Sequence, residues 1–353
     1  MKVILKIPLL LIVTLLVIGC SKDPENDPIF YYVKGTLKCD ASGNVGDSFT
    51  INGDTYTIID EAMLRRMVDD AEDVTKVCTS KVTDMSLLFA KSSFNQPIGT
   101  WDVSNVTNMH RMFEDSPFHQ SIGNWDVGKV KDMSRMFEST YFNLDISNWD
   151  VSKVTDMSKM FYSSYFNQDI GSWDVSNVTD MAWMFRYSEF NQDIGSWDVS
   201  SVIRVEGMFI NSQFNQDISS WDVSNVTNME GMFAGSPFDK SPFNQDISAW
   251  DVSKVKEMSD MFAYSAFNQN ISAWDVSKVT TMGGMFADSP FNQEISVWDV
   301  GNVTDMDWMF AGSSFNKDLS SWNVVNVIDC RKFSIDTPQW ILPKPNFTNC
   351  DPN

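Results

Sequence analysis

The sequence has few of the side chains that usually perform catalysis or bind transition metals. Its two histidines, His110 and His119, lie in neither a His-x-x-x-His nor a His-Glu-x-x-His pattern. It contains no CxxC pair and no Gly-rich phosphate loop. We therefore predict no catalytic residues, no metal ligands of these types and no organic cofactor, and we expect that the protein is not an enzyme.

Basic residues are also scarce. Lys and Arg number 26 against 47 Asp and Glu, which gives a formal net charge of −21. A surface this acidic repels the phosphates of nucleic acids and of anionic lipids, so we expect neither as a direct partner. It favours solubility outside a cell, or a cationic partner or ion.

A long hydrophobic run occurs only near the N-terminus. Lys2 and Lys6 flank the start of an apolar run over residues 7–18, which is short for a bilayer span. The run ends in Leu-Val-Ile-Gly-Cys at Cys20 and resembles a bacterial lipoprotein signal. That resemblance implies cleavage after residue 19 and lipidation of Cys20. A plain secretion signal and an uncleaved anchor are the alternative interpretations.

The segment after Cys20 reads as a tether. Residues 20–28 are polar and contain two prolines, which is typical of a flexible linker between a lipid anchor and a folded body. Cleavage would remove two Lys and no acid, which changes the net charge from −21 to −23. We expect a lipid-anchored protein of the outer membrane or cell surface that contacts the membrane only through this lipid.

The other four cysteines lie in two pairs outside the main repeats. An exported protein can oxidise them, and the pairings Cys39–Cys78 and Cys330–Cys350 would join the chain at both ends of the repeats. Four free buried thiols are the alternative.

A tandem repeat is the main feature of the sequence. Trp recurs every 24 residues, except for one step of 29 between Trp221 and Trp250 that includes the extra segment Ser236–Lys240. The Trp positions are 101, 125, 149, 173, 197, 221, 250, 274, 298 and 322. A fixed period of this length is the signature of a repeat solenoid.

Each repeat contains two hydrophobic patterns. Ile170, Trp173 and Val175 have the I-x-x-W-x-V spacing of a leucine-rich repeat and predict a short strand. Val178, Met181, Met184 and Phe185 share one helical face and predict a short α- or 3₁₀-helix. The fold class is therefore a leucine-rich-repeat-like solenoid with one strand and one helix per coil, about ten coils and capped ends.

The expected domains follow from these patterns. Residues 29–73 form an N-terminal cap, in which Asn52-Gly53 predicts a hairpin and Asp60 an N-capped helix. Residues 74–333 form the solenoid, and residues 334–353, which leave the pattern, form a C-terminal cap or tail.

The unit F-N-Q-D-I-x-x-W-D-V-S-N-V-T-x-M-x-x-M-F resembles the BspA-type leucine-rich-repeat surface proteins of bacteria. The resemblance covers about residues 74–333. It implies a cell-surface location and a role in adhesion or protein–protein contact, and it carries no catalytic residues. It does not identify the partner or the oligomeric state.

The Asp after each Trp forms a column that includes Asp150, Asp174 and Asp198. Carboxylates one coil apart repel each other, which predicts a raised pKa. Such a column is compatible with weak Ca²⁺ binding, or with carboxylates that hydrogen-bond to backbone N–H groups of their own turns.

Binding is expected where the repeat varies. The position between the two Met of each unit, and the turn that follows, contain exposed-type Arg, Lys, Trp and Tyr, which are the usual anchors of interfaces. The candidate binding residues are Arg111, Arg135, Lys159, Tyr162, Tyr165, Trp183, Arg186 and Tyr187. An extracellular protein is the expected partner; a glycan bound through Trp183 or Trp308, a purely structural envelope spacer and neutral drift are the alternatives.

Overall fold

The structure is a computed structural model, and it describes residues 30–39 and 42–353. The expected signal segment 1–19, the lipidation site Cys20 and the tether 20–28 lie outside the described residues.

Two hairpins and one helix precede the repeats. The elements are β1 (Phe30–Val33), β2 (Thr36–Cys39), β3 (Ser48–Ile51), β4 (Asp54–Ile58), α1 (Glu61–Asp69) and β5 (Val77–Cys78). The β1–β2 pair is antiparallel, and it was not predicted from the sequence. The β3–β4 pair turns at Asn52-Gly53, and β4 pairs with β5 in parallel. This parallel pairing joins the cap to the first coil.

Helix α1 covers the N-terminal end of the repeat core. The side chain of Asp60 accepts a hydrogen bond from the backbone N–H of Met63 (2.8 Å) and caps the helix. Leu64 and Met67 are buried and belong to the same hydrophobic core as the repeats. Strand β2 also docks on the first full coil, where the Leu37 N–H donates to the carbonyl of Thr100 (2.7 Å).

The repeats are stacked coils, but their secondary structure differs from the prediction. Residues 79–353 contain no helix and no extended strand, so the prediction of one strand and one helix per coil is wrong. The expected strand forms a turn, in which the Trp173 N–H donates to the carbonyl of Ile170 (3.1 Å). Parallel backbone pairing instead follows the segment predicted to be helical. It is continuous from coil to coil between Asp84 and Asp329.

The pairing consists of alternate hydrogen bonds within and between coils. The N–H groups of Met157, Lys159 and Phe161 donate to carbonyls of the next coil, at 2.9–3.0 Å. The intervening N–H groups of Met160 and Tyr162 donate to carbonyls three residues earlier in their own coil (both 3.1 Å). Every N–H of this segment is therefore used, and half of them hold the coils together.

Left-handed backbone, at two positions in nearly every coil, explains the absence of a helix. Trp183 and Tyr187 have φ of 55° and 56°, whereas a helix needs a φ near −63°. The left-handed conformation costs a non-glycine residue about 1–2 kcal/mol. In this fold it directs the N–H of Trp183 to the carbonyl of Glu206 (2.9 Å) and that of Tyr187 to Ile210 (2.8 Å), in the next coil.

Aromatic columns fill the core. The Phe161 ring stacks on Phe166 of its own coil (4.1 Å) and on Phe185 of the next coil (5.7 Å). The Trp173 ring is buried, and its indole N–H donates to the carbonyl of Ile146 in the preceding coil (3.2 Å). Trp therefore adds a hydrogen bond between coils to its apolar contacts.

Both ends of the stack are closed by aromatic or apolar contacts and a disulfide. Trp340 is buried against Phe315 (ring centroids 4.8 Å apart) and packs on the last coil, so part of residues 334–353 is a folded cap. The sulfur atoms of Cys330 and Cys350 are bonded, as are those of Cys39 and Cys78. These are the two pairs that the sequence analysis considered.

Candidate functional site

The variable position of each repeat is its first left-handed residue. Arg111, Arg135, Lys159 and Trp183 occupy it with φ between 55° and 58°. Glycine occupies the same position at Gly207, Gly231 and Gly284. The side chains at this position are at least partly exposed, whereas the Met residues on either side are buried. The coils therefore need its backbone conformation and leave its side chain free to vary.

Four coils together form a cationic–aromatic patch. We define it by the variable positions and the turns that follow them, namely Arg111, Arg135, Lys159, Tyr162, Trp183, Arg186 and Tyr187. The Lys159 ammonium lies 4.9 Å from the Trp183 ring centroid and 5.7 Å from that of Tyr162. The Arg186 guanidinium lies 5.0 Å from the Tyr187 ring and 6.0 Å from the Tyr162 ring. Cations and aromatic faces thus alternate across neighbouring coils.

Positive charge accumulates in this patch. Partial burial, together with the positive charges of Arg135 and Arg186, holds the pKa of Lys159 below its usual range. Two of the cations are balanced within their own coils: Arg111 hydrogen-bonds to Glu114 (2.6 Å), and Arg135 lies 3.6 Å from Glu138. Lys159 and Arg186 contact rings, and no ion pair with a carboxylate is found for either among the described residues.

One candidate residue lies outside this network, and one participant was missed. Tyr165 stacks on Tyr141 instead (5.0 Å), and both rings are exposed. Arg204 was not proposed from the sequence, yet its guanidinium lies 5.9 Å from the Trp183 ring and pairs with Asp180 (2.9 Å) and with Glu206. The sequence did contain a signal, because Arg204 is the single basic residue in a column that otherwise contains mostly Asp and Asn.

A groove of about 480 Å³ borders the patch. We call it the acidic groove, because Glu206, Glu230 and Asp260 line it, with Trp183 and Tyr264 among its aromatic residues. Its small residues are Gly231, Ala234, Gly235 and Ala263, and both alanines are buried. The column that contains Tyr162 and Arg186 in the patch thus changes to alanine here. This change makes room for the groove.

The only irregular step of the repeat also adjoins the groove. Gly235 and Ser236, at the start of the five-residue insertion, line it. Phe238, at the tip of the insertion, is 99% exposed. A fully exposed Phe contributes little to folding, so this insertion presents an apolar side chain beside an acidic groove.

His110, Ser134 and Asp132 lie close together but not as a nucleophile and its base. The His110 Nδ1 is 2.6 Å from the Ser134 hydroxyl, which donates to Asp132 (2.5 Å). In a triad the carboxylate orients the histidine, whereas here Asp132 accepts a hydrogen bond from the serine hydroxyl. Ser134 is also buried.

The Asp column after each Trp is used by its own turns. Asp198 accepts hydrogen bonds from the Ser200 hydroxyl (2.6 Å) and backbone N–H (3.1 Å), which hold its pKa below the usual range. Asp150 behaves in the same way, so the raised pKa expected from mutual repulsion is wrong for these residues. Within residues 30–39 and 42–353, no group of three or more His, Cys, Asp or Glu is arranged to hold a metal ion. Weak calcium binding stays a prediction.

A known family covers most of this architecture. The family described as "Mycoplasma protein of unknown function, DUF285" matches residues 61–165, 138–241 and 236–339. The chain belongs to this family. The three DUF285 matches in tandem identify it as a bacterial repeat protein with a repeat fold, and each match is longer than one coil. No curated protein matches the chain. Among the described residues, no helix has the length and apolar character needed to cross a bilayer.

Proposed function

We propose that this protein is a non-catalytic interaction module, held on the bacterial cell surface by a lipid on Cys20, that binds another protein through the cationic–aromatic patch. The observation that supports this proposal is the cation–π network of Lys159, Trp183 and Arg186 on an otherwise acidic chain. Trp, Tyr and Arg are the residues that most often dominate binding energy at interfaces. Glycine occupies the position equivalent to Trp183 in three other coils, so we expect that the stability of the coil does not require Trp there.

We also propose that the repeat is a divergent leucine-rich repeat of the BspA type and that the stack is a solenoid. The I-x-x-W-x-V spacing and the continuous parallel pairing between coils support this assignment. A BspA-type assignment favours a surface location and a role in adhesion. It also favours recognition by the side chains that differ between coils.

The experiment that tests the patch uses a substitution that other coils of this chain already contain. The double variant Trp183→Gly/Arg186→Ala reproduces the combination of Gly231 and Ala234. We expect the melting temperature to stay the same and binding to an immobilised panel of extracellular proteins to fall by about tenfold or more. Trp308→Gly is the matched control, because it removes an exposed Trp from the same column outside the patch.

Equal binding by the double variant and the wild type would remove the patch from consideration. Protease shaving of intact cells tests the location separately. Release of peptides from residues 74–333 without lysis is the expected result, and full protection would instead favour a spacer that faces the periplasm.

Glycan binding is the second candidate, because Trp308 is 42% exposed and carries the Lys332 ammonium 4.2 Å from its ring. Exposed aromatic faces can stack on sugar rings. Saturable binding to a polysaccharide that is lost in Trp308→Gly would favour this candidate over protein binding.

A further inference from the structure

Unsatisfied polar atoms are concentrated at the acidic groove. Among the described residues, five buried side-chain nitrogen or oxygen atoms have no hydrogen-bond partner. Three of them belong to residues that line this groove: Arg186 Nε, Glu206 Oε2 and Asn211 Oδ1. Buried polar groups normally have partners, and these three lie behind one concave surface, where a side-chain rotation would present them to a ligand in the groove.

Two of these three atoms are acceptors, and the groove as a whole favours a cation. Glu206 is 5% exposed, and its Oε1 accepts from Arg204 (2.8 Å), whereas its buried Oε2 has no hydrogen-bond partner. Glu230 and Asp260 add two further carboxylates, against the single cation Arg186 in the lining. Asp260 lies at the exposed rim, yet desolvation by its surroundings and the charges of Glu230 and Asp305 raise its pKa. Arg204 pairs with Glu206 and Arg186 lies in the lining, so the three carboxylates exceed these two cations by a single negative charge.

The walls and floor have the shape and chemistry of a site for a cationic side chain. Trp183, Tyr187 and Tyr264 supply aromatic surface, to which ammonium and guanidinium groups are attracted. Gly231 and Ala234 keep the floor free of bulk, and the nearest atom to a methyl group added at Gly231 would be Ile210 Cδ1. A volume of about 480 Å³ accommodates an extended side chain of this kind.

We propose that the acidic groove binds an alkylammonium or guanidinium group, supplied by a lysine or arginine side chain of a partner protein. That the cationic group belongs to a partner protein rests on the proposed function, whereas binding of the cationic group itself does not. Phe238 is fully exposed and lies two residues after Ser236, which lines the groove, so it offers an apolar contact to partner residues that flank the bound cation. The partner therefore carries a basic residue next to an apolar one.

The test measures binding of Nα-acetyl-arginine methylamide and Nα-acetyl-lysine methylamide by saturation-transfer NMR. The citrulline derivative is the matched probe, because it has nearly the shape of the arginine derivative and no charge. We expect saturable binding of at least one cation and affinity for citrulline that is lower by about tenfold.

Two variants and one control link this binding to the groove. Asp260→Asn and Glu206→Gln remove one charge each, and we expect each to weaken cation binding by about fivefold or more. Asp260 has φ of 57°, a conformation that Asn tolerates, so Asp260→Asn should melt no lower than the wild type. Asp115→Asn is the control, since Asp115 is an exposed left-handed carboxylate that does not line the groove.

Absence of saturable cation binding, equal binding of citrulline, or wild-type affinity in both groove variants would overturn the inference. The probes need no partner protein, which separates this inference from the proposed function. A protein that binds the arginine derivative but no other protein contradicts the proposed function alone. A protein that binds a partner but neither cation contradicts the groove alone.

Discussion

Replacement of Gly231 by alanine tests the left-handed backbone on which the coil depends. In a helix, Gly→Ala is expected to stabilise by about 0.8–1 kcal/mol. Gly231 instead has φ of 59°, where a side chain costs about 1–2 kcal/mol. The added side chain also lowers the entropy of the unfolded chain, which stabilises the folded state by about 0.4–1 kcal/mol and offsets part of this cost. The closest atom to the added methyl group is the flexible end of Ile210, 3.0 Å away, so steric overlap adds little.

The expected net effect is a loss of about 1 kcal/mol, opposite in sign to the helical case. The reciprocal change, Ser139→Gly, should stabilise by about 0.5–1 kcal/mol, because Ser139 is exposed and left-handed with φ of 57°. Urea unfolding followed by circular dichroism measures both through the midpoint at constant slope. A higher midpoint for Gly231→Ala together with a lower one for Ser139→Gly would refute the left-handed assignment.

Three further predictions concern stability. Trp173→Phe should lower the free energy of unfolding in urea by about 1–3 kcal/mol, because it removes the indole hydrogen bond to Ile146 and leaves a small cavity. An unchanged midpoint would refute a role for that hydrogen bond. Replacement of Cys330 and Cys350 by serine should lower the free energy of unfolding by about 3 kcal/mol for a loop of this length. A reducing agent should lower the urea midpoint of the wild type by more than that of the variant, because the variant keeps only the Cys39–Cys78 disulfide, and an equal shift in both would contradict this prediction. Burial opposes ionisation of Asp102, but hydrogen bonds from serines and the charge of Lys38 outweigh burial and lower the pKa of Asp102. Its contribution to stability is therefore present above the unfolded pKa and is lost as the pH falls below about 4. Asp102→Asn should flatten the dependence of stability on acid pH, and an unaltered profile would contradict this prediction.

The repeat and its core could be read from the sequence, because burial depends on side-chain spacing. The Trp, Met and Phe columns that define the 24-residue period are the columns that fill the core, and Trp173, Met181 and Phe185 are all buried. The Asn52-Gly53 pair likewise marks the turn between β3 and β4. These features are local, so they need no knowledge of neighbouring coils.

The helix prediction failed because the i, i+3, i+6 and i+7 spacing only records which side chains face inward. A coil with two left-handed residues and bonds to its neighbours buries the same set as a helical turn would. The recurrence of glycine at positions 207, 231 and 284 was an available signal of this backbone. The five-residue insertion and the run of alanines at 234, 263, 287 and 311 were similar signals for the groove.

The period, the inward side chains and the excess of negative charge depend only on residue identity and spacing, so all three can be predicted without a structure. Tertiary contacts set the partners of the backbone hydrogen bonds, because alternate N–H groups in the paired segment of each coil find acceptors one coil away. Neither residue identity nor spacing predicts these partners, and the tertiary structure supplies them. It also decided which variable residues meet. Lys159 and Trp183 are 24 residues apart in the chain, yet stacking of consecutive coils brings the ammonium to 4.9 Å from the ring. The patch and the groove both arise from this stacking, which places residues one period apart in direct contact.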